Sequence, residues 1–170
     1  MVKVHKLYLD SGIILAFYYK KDSQNKHNRV KKFFKEVFQL KDQINLVCSD
    51  FSITEFVQAY VTKPKVSEKH AFEISSDIAQ LQKIGRKYPF EWVEVEGKEG
   101  KDYEFGAFFI DLRRIILSTK PRPGLGDAIH AVIIKNNKLK YIITFNKKDF
   151  KNIKGIIPLE PEEISELLKR

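Results

Sequence analysis

Four acids and an amide occupy places in this sequence where an oxygen atom can serve a bound group rather than water. Asp10 closes the apolar run Leu7-Tyr8-Leu9, and Glu55 lies about a turn into the segment that follows Ile44 to Cys48. Asp127 opens the apolar run Ala128 to Ile134, and Asn146 and Asp149 follow Tyr141-Ile142-Ile143-Thr144. Each acid also has an ordinary local role. Asp10 suits an N-cap, Glu55 has capping-box spacing from Ser52, and Asp127 in a first helical turn complements the helix dipole. Capping does not require these groups to gather at one place, and gathered acids repel one another. A stable cluster therefore calls for a cation. With one cysteine, Cys48, and no histidines at a metal-ligand spacing, the donors are oxygens, which indicates Mg²⁺ or Mn²⁺.

The hydrophobic pattern says which elements must position these residues. Val2 to Leu9, Ile44 to Cys48, Pro89 to Val95, Lys140 to Thr144 and Gly155 to Pro158 read as strands. Between them fall helical patterns: Ile13 to Tyr19, Asn28 to Leu40, a segment after Ser52, Ser67 to Ile84, Phe105 to Ile116, the run from Asp127, and a C-terminal helix from about Glu160. In the second of these, Val30, Phe33, Phe34, Val37 and Phe38 share one face. The helix from Asp127 is apolar all round and belongs inside the protein. Glu96 to Lys101 reads as a loop. Strands alternating with helices predict an α/β fold, a single domain over residues 1–170 with a mostly parallel central sheet flanked by helices on both faces. In such a sheet the strand carboxyl ends line one edge, where ligands bind. That edge would carry Asp10, Glu55, Asp127, Asn146 and Asp149.

Bulk properties narrow the partners. The 170 residues carry a net charge of +9 and 43% hydrophobic content, which describes a globular chain drawn to polyanions. The charge is clustered. Lys20 to Lys41 holds eight Lys or Arg against Asp22 and Glu36, and Lys135 to Lys154 holds seven lysines against Asp149. A basic protein with an acidic metal pocket points to phosphodiester cleavage by metal-activated water. The lone cysteine excludes an internal disulfide framework and fits a reducing cytoplasm. Leu7 to Tyr19 is too short, and too interrupted by Asp10, to span a membrane, and it lacks the features of a signal peptide. Of the four histidines, His5, His27 and His70 read as surface residues. His130, a turn beyond Asp127, reads either as a core histidine or as a support for a metal ligand.

At these residues the chain resembles the PIN-domain nucleases, across nearly its whole length. Leu-Tyr-Leu-Asp10-Ser, Ile-Thr-Glu55-Phe, Gly-Asp127-Ala-Ile-His-Ala and Ile-Thr-Phe-Asn146-Lys-Lys-Asp149-Phe occur in the order and context of that family. The resemblance implies a parallel sheet between helices and Mg²⁺- or Mn²⁺-dependent ribonuclease activity. Asp10, Glu55 and Asp127 then become the first metal ligands, and the fourth position falls to Asn146 or Asp149. Many members look like VapC-type toxins, which implies a homodimer and an antitoxin partner as well as RNA. The chain is longer than compact toxins, mainly around Ile84 to Lys101.

Two other readings compete. Asp10 after a first strand resembles the nucleophile of a haloacid-dehalogenase-type phosphatase, but that chemistry needs an acid two residues on, where Gly12 stands. A non-catalytic PIN-like module that binds RNA or a protein would fit an incomplete acidic set. Here three acids are intact and the fourth has a candidate.

Overall fold

The computed structural model describes residues 4–20, 23–63, 66–67, 69–70, 72–74, 90–93 and 105–167. Leu7, Tyr8 and Leu9 are apolar on both faces of β1 (His5–Leu9), so β1 must be covered on both sides, and all three are fully buried. It is the middle strand of the five among the described residues. β2 (Ile44–Ser49) and β4 (Tyr141–Ile143) flank it, and β3 (Phe90–Val93) and β5 (Ile157–Leu159) form the edges, giving the order β3-β2-β1-β4-β5. Every pairing is parallel.

Successive β1 residues serve different layers. Leu7 and Leu9 pack with α1 (Ser11–Tyr18), α2 (Gln24–Gln39) and α3 (Asp50–Val61), through Ile13, Phe33, Phe34 and Phe56 among others. Tyr8 joins the opposite layer with Leu112 and Ile115 of α4 (Phe105–Ser118) and the apolar run of α5 (Leu125–Asn136). Ala128 and Ala131 to Ile134 are almost fully buried, as an all-apolar helix requires. A short α6 (Lys147–Phe150) follows β4, and a 3₁₀ turn at Pro161–Glu163 leads into α7 (Ile164–Leu167).

Some expectations need correction. His5 shares its face of β1 with Leu7 and Leu9 and is buried, because both faces of a central strand are covered. His27 is also buried, its Nδ1 2.9 Å from the Ala16 carbonyl oxygen. α2 starts earlier than its apolar spacing suggests, capped by Ser23, whose hydroxyl accepts the Lys26 N–H at 3.2 Å. Phe38 is about half exposed at the end of that helix, not part of the inward stripe. Of the expected helix Ser67 to Ile84, residues 69–70 and 72–74 are helical, and most of the rest lies outside the described residues. So does the expected loop from Glu96 to Lys101.

Candidate active site

In the order β3-β2-β1-β4-β5 the chain's winding direction reverses between β1 and β4, and a crevice opens there at the strand carboxyl ends. Asp10 stands at that point. Its backbone N–H donates to the Ile143 carbonyl at 3.1 Å, extending the ladder by one bond. Its Oδ2 accepts the Thr144 hydroxyl at 2.6 Å. The capping bond from Gly12 N–H to Oδ1 is long, 3.5 Å, and the Ser11 hydroxyl lies 3.3 Å from the same oxygen. Asp10 does cap α1, but its strongest contact reaches across to the strand end of β4.

Glu55 has no capping role. Ser49 caps α3 by accepting the Ser52 N–H at 3.2 Å. The Ser52 hydroxyl is engaged elsewhere, 3.0 Å from the Leu9 carbonyl oxygen. Glu55, beyond the first turn, turns its carboxylate toward Asp10. Oε2 accepts from Ser11 Oγ at 3.0 Å and from His130 Nε2 at 2.7 Å. Burial alone would raise the Glu55 pKa; the His130 bond and charge and the Ser11 hydroxyl outweigh it and hold the group below its ordinary value.

The other carboxylate oxygen lies against the start of α5. A Cβ on Gly126 would sit 2.6 Å from Glu55 Oε1, so only glycine leaves the carboxylate in place. Gly126→Ala should therefore uncouple stability from the site. Alanine favours a helix over glycine by about 0.8–1.0 kcal/mol, so the melting temperature should hold or rise. Displacement of Glu55 should weaken Mn²⁺ binding by roughly tenfold or more, measurable by titration calorimetry. Native affinity would show that Glu55 Oε1 has no part in holding a cation.

Asp127 occupies the first turn of α5, half-buried. An acid that only complemented a dipole would titrate low. Asp127 instead titrates above its ordinary range, because burial and then the nearby Asp149 and Asp10 disfavour its charge, with His130 opposing and Glu55 adding a little. Asp127 thus feels the charges of the other three expected acids. Asp149, in the first turn of α6, is half-buried. Asn146 is exposed at the N-cap position of α6, where its side chain makes no capping bond, and its N–H donates to Thr144 Oγ1 at 2.9 Å.

His130 is almost fully buried and lies between the acids and the core. Its Nε2 is 2.7 Å from Glu55 and 3.8 Å from Asp10 Oδ1. Its Nδ1 is 2.9 Å from the Tyr8 hydroxyl, which lies 2.6 Å from Ser49 Oγ and 2.9 Å from Ser52 Oγ. The rings of Tyr8 and Phe51 meet the imidazole edge-on. Burial pushes the Tyr8 phenol far up, so it stays protonated. A carboxylate can only accept, so Nε2 carries a hydrogen whichever protonation state the ring holds.

Among the described residues, ligand atoms of Asp10, Glu55 and His130 lie within 4.8 Å of one another, a spacing able to hold a metal ion; Asp127 and Asp149 stand outside that group. The donor set fits a hard divalent cation: converging carboxylates, half-buried, with repulsion that a cation would relieve. Sequence reasoning missed Tyr8, Ser11, Ser49, Ser52 and Thr144. Their one signal is a polar group set within or just after an apolar strand.

No protein-family model matches the chain, and no curated protein matches its sequence. Solved structures do match the fold. FitAcB from Neisseria gonorrhoeae aligns over 92% of this chain and 98% of its own, at TM-score 0.59 and 12% identity. VapC20 of Mycobacterium tuberculosis, a sarcin-ricin loop cleaving toxin, aligns over 88% and 96%, at 0.57 and 10%. VapBC2 from Rickettsia felis, solved bound to a DNA fragment from their promoter, aligns over 91% and 98%, at 0.54 and 15%. The chain therefore has the α/β fold of VapC-type PIN-domain proteins.

Proposed function

We propose that this protein is a Mg²⁺- or Mn²⁺-dependent endoribonuclease, acting in the cytoplasm as the single-domain toxin of a toxin–antitoxin pair. What supports the reading is the approach of Asp10 to Glu55, whose oxygens lie with a His130 nitrogen within 4.8 Å of one another, beside an Asp127 whose pKa is raised by burial and then by Asp149 and Asp10. Asp10, Glu55 and Asp127 would hold the cation, with Asp149 or Asn146 supporting them. A divalent cation so held supplies charge neutralisation on a phosphate and activation of water.

The chain's own residues preorganise that site. Thr144 occupies one oxygen of Asp10 and leaves the other lightly engaged. Ser11 and His130 occupy one oxygen of Glu55, leaving Oε1 toward Gly126. Because its Nε2 proton is committed to Glu55, His130 orients a ligand and does not serve as one. The Tyr8–Ser49–Ser52 hydroxyls fix the far side of the ring. Exposed Lys31, Lys32 and Lys35 on α2 supply positive charge for an RNA backbone. The fold's likeness to VapC-type proteins supports the toxin role and an antitoxin partner, and a homodimer is proposed with them. No helix among the described residues is long and apolar enough to cross a membrane.

The test is a single-stranded RNA incubated with the purified protein, with Mn²⁺ and with a chelator. Cleavage in Mn²⁺ alone is expected. RNA binding that is indifferent to metal and never followed by cleavage would assign the chain to a binding module instead.

A further inference from the structure

Beside Asp10 lies a cleft of about 210 Å³, walled by α1 on one side and by Tyr19, Lys26, Phe145 and Asn146 on the others. We infer that it seats one unstacked base of the RNA, next to the nucleotide that is cut. The inference rests on the ribonuclease reading and adds a subsite to it.

The cleft is smaller than pockets that enclose a drug-sized ligand; it has room for a single planar ring system. Its lining is mixed: Leu15, Ala16 and Phe145 offer apolar surface, and Asn146 a polar edge. A nucleobase presents the same combination, a π face and a hydrogen-bonding edge, once it leaves a helix stack. In a duplex the faces are stacked and the Watson–Crick edge is paired, so a base there cannot enter the cleft.

Three side chains fit this role by what they leave unspent. The Asn146 amide makes no hydrogen bond among the described residues, although it stands at an N-cap, where an amide ordinarily turns back to its helix. Two cations lie over the Phe145 ring, Lys26 at 5.1 Å and Arg29 at 5.0 Å from its centroid. Arg29 is committed to Glu160 and Glu162. Lys26 has no acidic partner among the described residues and is free to take a phosphate. Phe145 is half-buried and lines the cleft. A cationic protein side chain, the other group that Asp10 would attract, would meet Lys26 as a like charge. An anionic backbone with a neutral base meets no such penalty.

The test uses the full-length protein in metal-free buffer, where RNA is bound and not cut. The probes are four fluorescent homopolymeric RNA octamers, an octamer of the same backbone lacking every base, and a duplex. The native protein should bind the abasic octamer and the duplex about tenfold more weakly than its preferred single strand, since stacking contributes to each base held. Lys26→Ala should weaken binding to all octamers and lower the slope of log affinity against log salt by about one. Asn146→Ala should level the differences among the four homopolymers. Both residues are exposed, and the RNA probes need no variant, so misfolding does not confound the result. Equal affinity for abasic and base-bearing octamers would overturn the inference, as would a homopolymer ranking unchanged in Asn146→Ala. Cleavage in Mn²⁺ with base-blind binding would remove the subsite alone. Base-dependent binding that Lys26→Ala and Asn146→Ala weaken, without cleavage in Mn²⁺, would remove the nuclease reading and keep the subsite.

Discussion

Asp10→Asn should fold like the native chain and lose Mn²⁺-dependent RNA cleavage by roughly hundredfold or more. Asparagine matches aspartate in size and is as good an N-cap, so α1 keeps its start. Its side-chain oxygen can still accept the Thr144 hydroxyl that Asp10 accepts at 2.6 Å. What disappears is the charge at the centre of the crevice. Loss of a mere outer partner of a metal ligand typically costs 10–100-fold, and a ligand itself should cost no less. The circular dichroism spectrum should stay native while the cleavage rate collapses. If Asp10 only capped a helix, cleavage would survive, and a fully active Asp10→Asn protein would refute its place in the site.

The second large effect runs the other way in stability. Asp127→Asn should raise the melting temperature of the metal-free protein and abolish most of its response to Mn²⁺. The sign follows from the direction of the shift. The folded Asp127 titrates above its ordinary value, from burial and from Asp149 and Asp10. Its carboxyl therefore favours the fold where it is protonated, below the unfolded value, and that contribution is lost as pH rises through the folded value. At neutral pH the native chain carries the full penalty and the asparagine variant none. The gain should accordingly shrink as pH falls through the folded pKa and vanish below the unfolded one. Mn²⁺ binds the folded native chain and stabilises it by mass action; the variant, short of one ligand, should respond much less. If Asp127 merely complements the α5 dipole, Asn costs roughly 0.3–1 kcal/mol and Mn²⁺ changes nothing. Four melting curves separate the two outcomes, and a repeat near pH 4 checks the sign.

The sheet was legible, and so were the places of the acids beside its strands, because each rests on a local pattern. Apolar runs of strand length alternate with helical spacing, and Asp10 and Asn146 follow two of those runs directly. Asp127 was legible as a charge at the head of an apolar helix. The supports of the site were not, because no local pattern joins Tyr8, Ser49, Ser52 and His130; they meet through the parallel pairing of β1 with β2 and the packing of α5 beneath β1. Glu55 shows the limit most clearly. Its spacing from Ser52 mimics a capping box, and what decides against it is Ser49, one residue before α3, taking the cap. His5 and His27 failed for a related reason: a polar residue in an amphipathic pattern reads as exposed, and burial depends on layers contributed by distant segments.

The backbone bond from Asp10 N–H to the Ile143 carbonyl has a consequence for how the protein fails when warmed. It ties the central carboxylate to the middle of the sheet, the part of a domain whose amides exchange with solvent only when the whole structure opens. Fraying of a distant loop leaves that bond in place. Heat inactivation should therefore be all-or-none, tracking the cooperative transition of the domain, with no partly active species below the melting point.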